Sequence, residues 1–125
     1  MWSIEFDPST CLMTLRLVHF ATPSQMRALA RAHVHALSAT GASSFRVLAD
    51  LRGARPFERE AATIFAEIRR SALAAPGFRR RAVLTDSPIV AMQQRRDILD
   101  DAIVSKHEIV TLDESEARNF LGRTF

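Results

Sequence analysis

At 125 residues, with 47% hydrophobic and 25% charged side chains, the chain has the size and composition of one globular domain with its own core. The net charge of +3 at pH 7 comes almost wholly from arginine, Lys106 being the single lysine, and is too small to indicate a nucleic-acid surface. The lone cysteine, Cys11, excludes an internal disulfide framework and a cysteine metal site, and no apolar run approaches the roughly 20 residues a membrane span needs.

The first eight residues, Met1 to Pro8, lack the basic start and apolar core of a signal peptide, so a cytoplasmic protein is expected. Trp2, Ile4 and Phe6 alternate with Ser3, Glu5 and Asp7, which predicts a half-buried strand. A turn over Asp7-Pro8-Ser9-Thr10 leads into a second strand at 11–18, and the short connection makes the pair an antiparallel hairpin. Thr22, Pro23 and Gln25 carry the signature of a capped helix start. Met26, Leu29, Ala30, His33 and Leu37 then share one face, and Gly41 stops the helix.

Phe45, Val47 and Ala49 alternate with Arg46, Leu48 and Asp50 in a third strand at about 44–51. A helix is expected from Pro56 to about Leu73, with Phe57, Ala61, Ile64, Phe65, Ile68 and Ala72 inward. Ala82-Val83-Leu84 reads as a short central strand. A further helix begins at Asp86-Ser87-Pro88, with Ile89, Met92, Leu99 and Ile103 inward. The last strand runs over 109–112, and a helix capped by Asp113 and Glu116 docks through Ala117, Phe120 and Leu121. The expected fold is a single α/β domain: a mixed sheet of about five strands, with an N-terminal antiparallel hairpin, then parallel βα units, and about four helices. Arg16 and Arg46 mark strands with a polar face, so the sheet is not expected to be covered fully on both sides.

Strand ends of such a sheet are where ligands and partners meet the protein. Asp50, Arg52, Gly53, Arg55, Asp86 and Ser87 fall in the turns after two parallel strands. Asp50 and Asp86 have the residue type of an acid/base pair, but each also suits a turn, Asp50 by pairing with Arg52 or Arg55 and Asp86 beside the Ser87 cap. The arginines around Gly53–Pro56 suit an anion, but only one glycine is present, there is no Walker or dinucleotide spacing, and Glu58 and Glu60 stand close by. His33 and His35 point to opposite sides of one helix and share no metal. Ser87 lacks the flanking glycines of a nucleophile elbow. Arg69, Arg70 and Arg79–Arg81 read as a helix C-terminal complement and a solvated run. Arg96 falls within an apolar stripe, where it snorkels or meets a carboxylate such as Asp97, Asp100 or Asp101.

The chain resembles the STAS/SEC14-like, or SpoIIAA-like, small domains over nearly its whole length. The hairpin followed by Thr22-Pro23 carries the resemblance, together with Val47-Leu48-Ala49-Asp50-Leu51-Arg52-Gly53, Asp86-Ser87-Pro88 with Met92 and Arg95-Arg96 downstream, and Val110 to Ala117. The resemblance implies a small mixed sheet packed with helices and no catalytic centre. Better-known STAS relatives are anti-sigma factor antagonists with a phosphorylatable serine at the start of the helix after the central strand. Here residues 55–61 hold no Ser or Thr, and Thr63 comes a full turn later. The expected role is a non-enzymatic binding or regulatory module acting through protein–protein contact, without cofactor or metal. Its candidate surface is Asp50, Arg52, Gly53, Arg55, Asp86, Ser87 and Arg96. A carrier of a small apolar or anionic ligand and, last, an enzyme using Asp50 and Asp86 are the alternatives. A homodimer is expected because Trp2, Val90 and Ile98 are left as apolar surface by this reading.

Overall fold

The structure, a computed structural model, describes residues 1–41, 43–100 and 106–122. Ile103 and Asp101 lie outside the described residues. The chain runs β1 (Trp2–Asp7), β2 (Leu12–Leu17), α1 (Pro23–Ala39), β3 (Phe45–Asp50), α2 (Arg59–Ala74), β4 (Phe78–Leu84), α3 (Pro88–Asp100), β5 (Glu108–Thr111) and α4 (Glu114–Leu121). The sheet order is β1-β2-β3-β4-β5, with β1 antiparallel to β2 and every other neighbouring pair parallel.

The period-2 pattern sets the two faces. Leu15, Leu17, Val47, Ala49, Val83 and Val110 point to one side, where Met26 and Leu29 of α1, Phe65 and Ile68 of α2, and Val90 and Ala91 of α3 close the main core. Leu48, Ala82 and Leu84 point to the other side, where α4 covers them through Ala117 and Leu121. The β1–β2 half of that second face stays open, as Arg16 implied: Ser3, Glu5, Asp7 and Arg16 are exposed there.

Several local expectations hold in detail. Thr22 and Gln25 form a reciprocal capping box at α1, each side chain accepting the other's backbone N–H at 3.1 Å. Ser87 Oγ accepts the Val90 N–H at 3.2 Å and caps α3. Asp113 caps α4 by accepting from Ser115 and Glu116, without the reciprocal bond a full box would have. Gly77, at φ +89°, lets the chain enter β4 against β3; a Cβ there would stand 2.7 Å from the Ser43 carbonyl oxygen.

Four expectations are corrected. Cys11 is not in a strand: it ends the hairpin turn at φ +55°, with Sγ directed to the Pro8 carbonyl. Helix α2 starts at Arg59, not Pro56: the Gln93 amide takes both backbone groups of Phe57, and the N-cap Glu58 is extended. Strand β4 begins at Phe78, so the Arg79–Arg81 run lies within the sheet. Helix α3 turns the opposite face inward: Val90, Ala91 and Gln94 are buried, while Ile89, Met92 and Leu99 are exposed. Val90 is therefore core, and Trp2 and Ile98 pack against that core, which removes the apolar surface on which the homodimer was argued.

Arg69 and Arg81 are not solvated or at a helix end. Both are buried against Glu108 in the main core. Glu108 Oε1 accepts from Arg69 Nη2 at 2.7 Å, and Oε2 accepts from Arg69 Nε at 2.8 Å and from Arg81 Nη1 at 3.1 Å. The register that pairs Arg81 with Glu108 across β4 and β5 makes this contact, and the Phe65 ring lies 5.9 Å from the Arg81 guanidinium carbon. Burial pushes Arg81 down to about 10, against the pull of Glu108, so it still carries its proton at neutral pH. Arg46 is likewise buried, on the other face. It donates to the Leu121 and Gly122 carbonyls and so places a cation at the C-terminus of α4.

Candidate functional site at the strand ends

Asp50 closes β3 with its side chain only 3% exposed. Its Oδ1 accepts from the Arg52 backbone N–H at 3.1 Å and from Arg52 Nε at 3.0 Å. Its Oδ2 accepts from Arg52 Nη2 at 2.8 Å and from Arg16 Nη2 at 3.2 Å. The Arg52 fork is thus bidentate on a carboxylate two residues away. Arg52 Nη1 reaches Glu114 at 2.9 Å in the first turn of α4, and Glu114 in turn meets Arg118 at 3.3 Å. A chain of alternating charge, Arg16–Asp50–Arg52–Glu114–Arg118, therefore runs across the α4 face of the sheet.

Burial raises the Asp50 carboxyl, but the side-chain and backbone donors of Arg52, then the charges of Arg52 and Arg16, outweigh it and hold the group below the usual aspartate range. Asp50 raises Arg52 in return. An ionised carboxylate with both oxygens occupied is a structural anchor and offers no proton to exchange at neutral pH. Asp86 is also a turn anchor: its Oδ1 accepts the Gly53 N–H at 3.1 Å and ties the β3–α2 loop to the β4–α3 loop.

The backbone donors of the β3–α2 loop from Leu51 to Phe57 are taken. Gly53 donates to Asp86, Ala54 to the Leu51 carbonyl, Arg55 to the His19 carbonyl at 3.0 Å, and Phe57 to Gln93. The Gly53 carbonyl accepts from the His19 N–H at 2.8 Å, so His19, at φ +63°, stitches the loop to the end of β2. The helix N-terminus expected beside Arg55 begins four residues later, at Arg59, and carries no side-chain cap. What this geometry makes is a fixed loop that presents the exposed Arg55 and the half-exposed Arg52.

The structure thus gathers Asp50, Arg52, Gly53, Asp86 and Ser87 at one end of the sheet with Arg55 on the same loop. It does not bring Arg96 to them: Arg96 is exposed more than two turns down α3, where no carboxylate pairs with it among the described residues. Among the described residues no group of three His, Cys, Asp or Glu has the geometry of a metal site, and no helix is long and apolar enough to cross a membrane. A shallow concavity of about 780 Å³ lies between the β5 edge and α4, lined by Ile109, Val110, Asp113, Ser115, Glu116, Asn119 and Phe120. Its only mark in the sequence is the apolar pair Ile109, on β5, and Phe120, on α4.

A mixed five-stranded sheet with an N-terminal hairpin, three helices on one face and one on the other defines a small α/β domain of the SpoIIAA-like kind. No family model matches the chain, and no curated protein does. Among solved structures it is similar to an uncharacterised protein of the DUF3478 family with a SpoIIAA-like fold from Shewanella loihica PV-4. The TM-score is 0.65 and the identity 14%, over 97% of this chain and 92% of that one. A likeness at that identity shows the fold: the chain has a SpoIIAA-like fold.

Proposed function

We propose that this domain is a binding module that acts by protein–protein contact through the loops at the ends of its parallel strands. One observation carries the reading. Of the seven large hydrophobic side chains exposed among the described residues, Met1, Phe20, Ile89 and Leu112 lie at this end. Met1 is placed there by its carbonyl bond to Val18, Phe20 follows β2, Ile89 opens α3 and Leu112 follows β5. Phe20 beside Arg55 and Arg52 brings together an aromatic side chain and arginines of the kind enriched in interaction hot spots, with Met1, Ile89 and Leu112 as apolar surroundings. The loop is rigid before any partner arrives, so little ordering entropy opposes association. The carboxylates support the surface by fixing Arg52 and the loop.

Native mass spectrometry of the protein as purified, without added ligand, tests the module against a small-ligand carrier. The module predicts the mass of the chain alone. Extra mass of a few hundred daltons that leaves on denaturation would replace this reading with the carrier.

A further inference from the structure

Strand β1 is an edge of the sheet, and among the described residues it pairs with β2 alone. The Val18 N–H donates to the Met1 carbonyl at 3.1 Å, so these two residues form a hydrogen-bonded pair. Such pairs alternate along an antiparallel ladder. The register therefore turns the backbone groups of Ser3, Glu5 and Asp7 towards β2, and the N–H and C=O groups of Trp2, Ile4 and Phe6 away from it. The strand has neither the proline nor the bulge that blunts many edges. What guards it is charge, and that charge is acidic. Trp2, Ile4 and Phe6 pack towards the main core, whereas Ser3, Glu5 and Asp7 are exposed on the open face. No cation pairs with Glu5 or Asp7 among the described residues.

We infer that β1 receives an extended segment of another protein as a further strand, one in which apolar residues alternate with lysine or arginine. The unpaired N–H and C=O groups call for the backbone of a strand. The two faces then set its side chains. Residues opposite Trp2, Ile4 and Phe6 lie beside α1. Arg27 of α1 reaches Glu60 on α2, so Ala28, Ala32 and Ala36, about a quarter to half a turn round the helix, form an apolar flank above the edge. Residues opposite Ser3, Glu5 and Asp7 meet acids without a cation, which favours basic side chains and repels acidic ones. A second copy does not fit this edge. Helix α1 packs over β1 itself, and two-fold antiparallel pairing sets both α1 helices on the same face. Adjoining strands lie about 4.8 Å apart, while packed helices need about 8–10 Å. Sliding the register moves the copy along the strand and leaves that spacing unchanged. The copy would also bring its own Glu5 and Asp7 to the acidic face. The edge runs along the side of the sheet, apart from the strand-end loops.

The test titrates the full chain with a short capped peptide of alternating valine and lysine and follows amide hydrogen exchange by NMR. The expected result is a slowing of the Trp2, Ile4 and Phe6 amides by about tenfold or more, while the Ser3 and Glu5 amides, already bonded to β2, change little. The same peptide with its backbone N-methylated, or with glutamate in place of lysine, gives no slowing. Glu5→Lys, an exposed substitution, weakens binding of the lysine peptide by roughly threefold or more. Edge amides that stay fast with the lysine peptide, or that are already slow in the chain alone, overturn the inference. So do equal slowing by either control peptide and an affinity unchanged by Glu5→Lys.

Discussion

Replacing Glu108 by glutamine is expected to cost the fold about 3–5 kcal/mol, the range for breaking a buried ion pair from one side. The substitution keeps the shape and removes only the charge. It removes the charge that the Arg69 and Arg81 guanidiniums, both about 2% exposed or less, share in the main core. Burial already lowers Arg81 while Glu108 holds its proton on; with that carboxylate gone, desolvation and the Arg69 charge are opposed by the more weakly acting Asp97. Urea unfolding of the two proteins reads the difference, with an unchanged slope showing that the same surface is exposed. A loss below about 1 kcal/mol would mean that the cluster is solvated in solution and does not tie α2 to β4 and β5.

The second large effect is on acid stability and belongs to His33. This side chain is 1% exposed on the inner face of α1, and neither ring nitrogen has a hydrogen-bond partner among the described residues. Burial, and then the charge of Arg81, lower it from 6.5 to about 4. In the unfolded chain the imidazole takes up its proton near 6.5, so between that pH and about 4 the unfolded state binds more protons than the folded one. Stability is therefore present above pH 6.5 and is lost as the pH falls through that window, by about 3 kcal/mol at 1.36 kcal/mol per pH unit. His33→Leu removes this contribution, so its stability should fall less than that of the wild type over the same window. Parallel pH profiles for the two proteins would show that His33 is solvated or paired when folded.

The parts of the fold that sequence disclosed are those written in local pattern. Trp2, Ile4 and Phe6 on alternate positions, the Thr22–Gln25 box and the Ser87 and Asp113 caps each specify structure within a few residues. The crossovers follow from strands separated by helices. The parts that stayed hidden depend on distant partners. Arg69, Arg81 and Glu108 lie 27 and 39 residues apart and look like ordinary charges until β4 and β5 align. Only the position of Arg69, one turn after Phe65 on the inward stripe of α2, pointed to its burial. Pro56 has the φ of a helix start, yet Gln93 of another helix claims the next residue's backbone.

Helix α3 shows the limit of periodicity most plainly. It carries two apolar stripes, and the bulkier one, Ile89, Met92 and Leu99, reads as the core face. The observed core face is Val90, Ala91 and Gln94, with Ile98 packed against it. The small Ala91 suits close approach to the sheet, and the larger residues remain outside. At the candidate site the turns after β3 and β4 were legible as the place where polar residues gather. The pairing of Asp50 with Arg52, two residues on, was legible as well; the Arg16 contact and the Asp86 bond to the Gly53 N–H were not, because they are made through the tertiary fold.

The claim that the strand-end loops are the working surface is tested most directly by comparing what the wild type and surface variants retain under mild cross-linking in native cells. The account predicts a partner held at fixed stoichiometry by the wild type and by Val34→Asp, an exposed control on α1, and lost at least tenfold with Arg55→Glu and with Phe20→Asp. A partner retained by both strand-end variants, or lost with Val34→Asp instead, would place the working surface elsewhere on the domain.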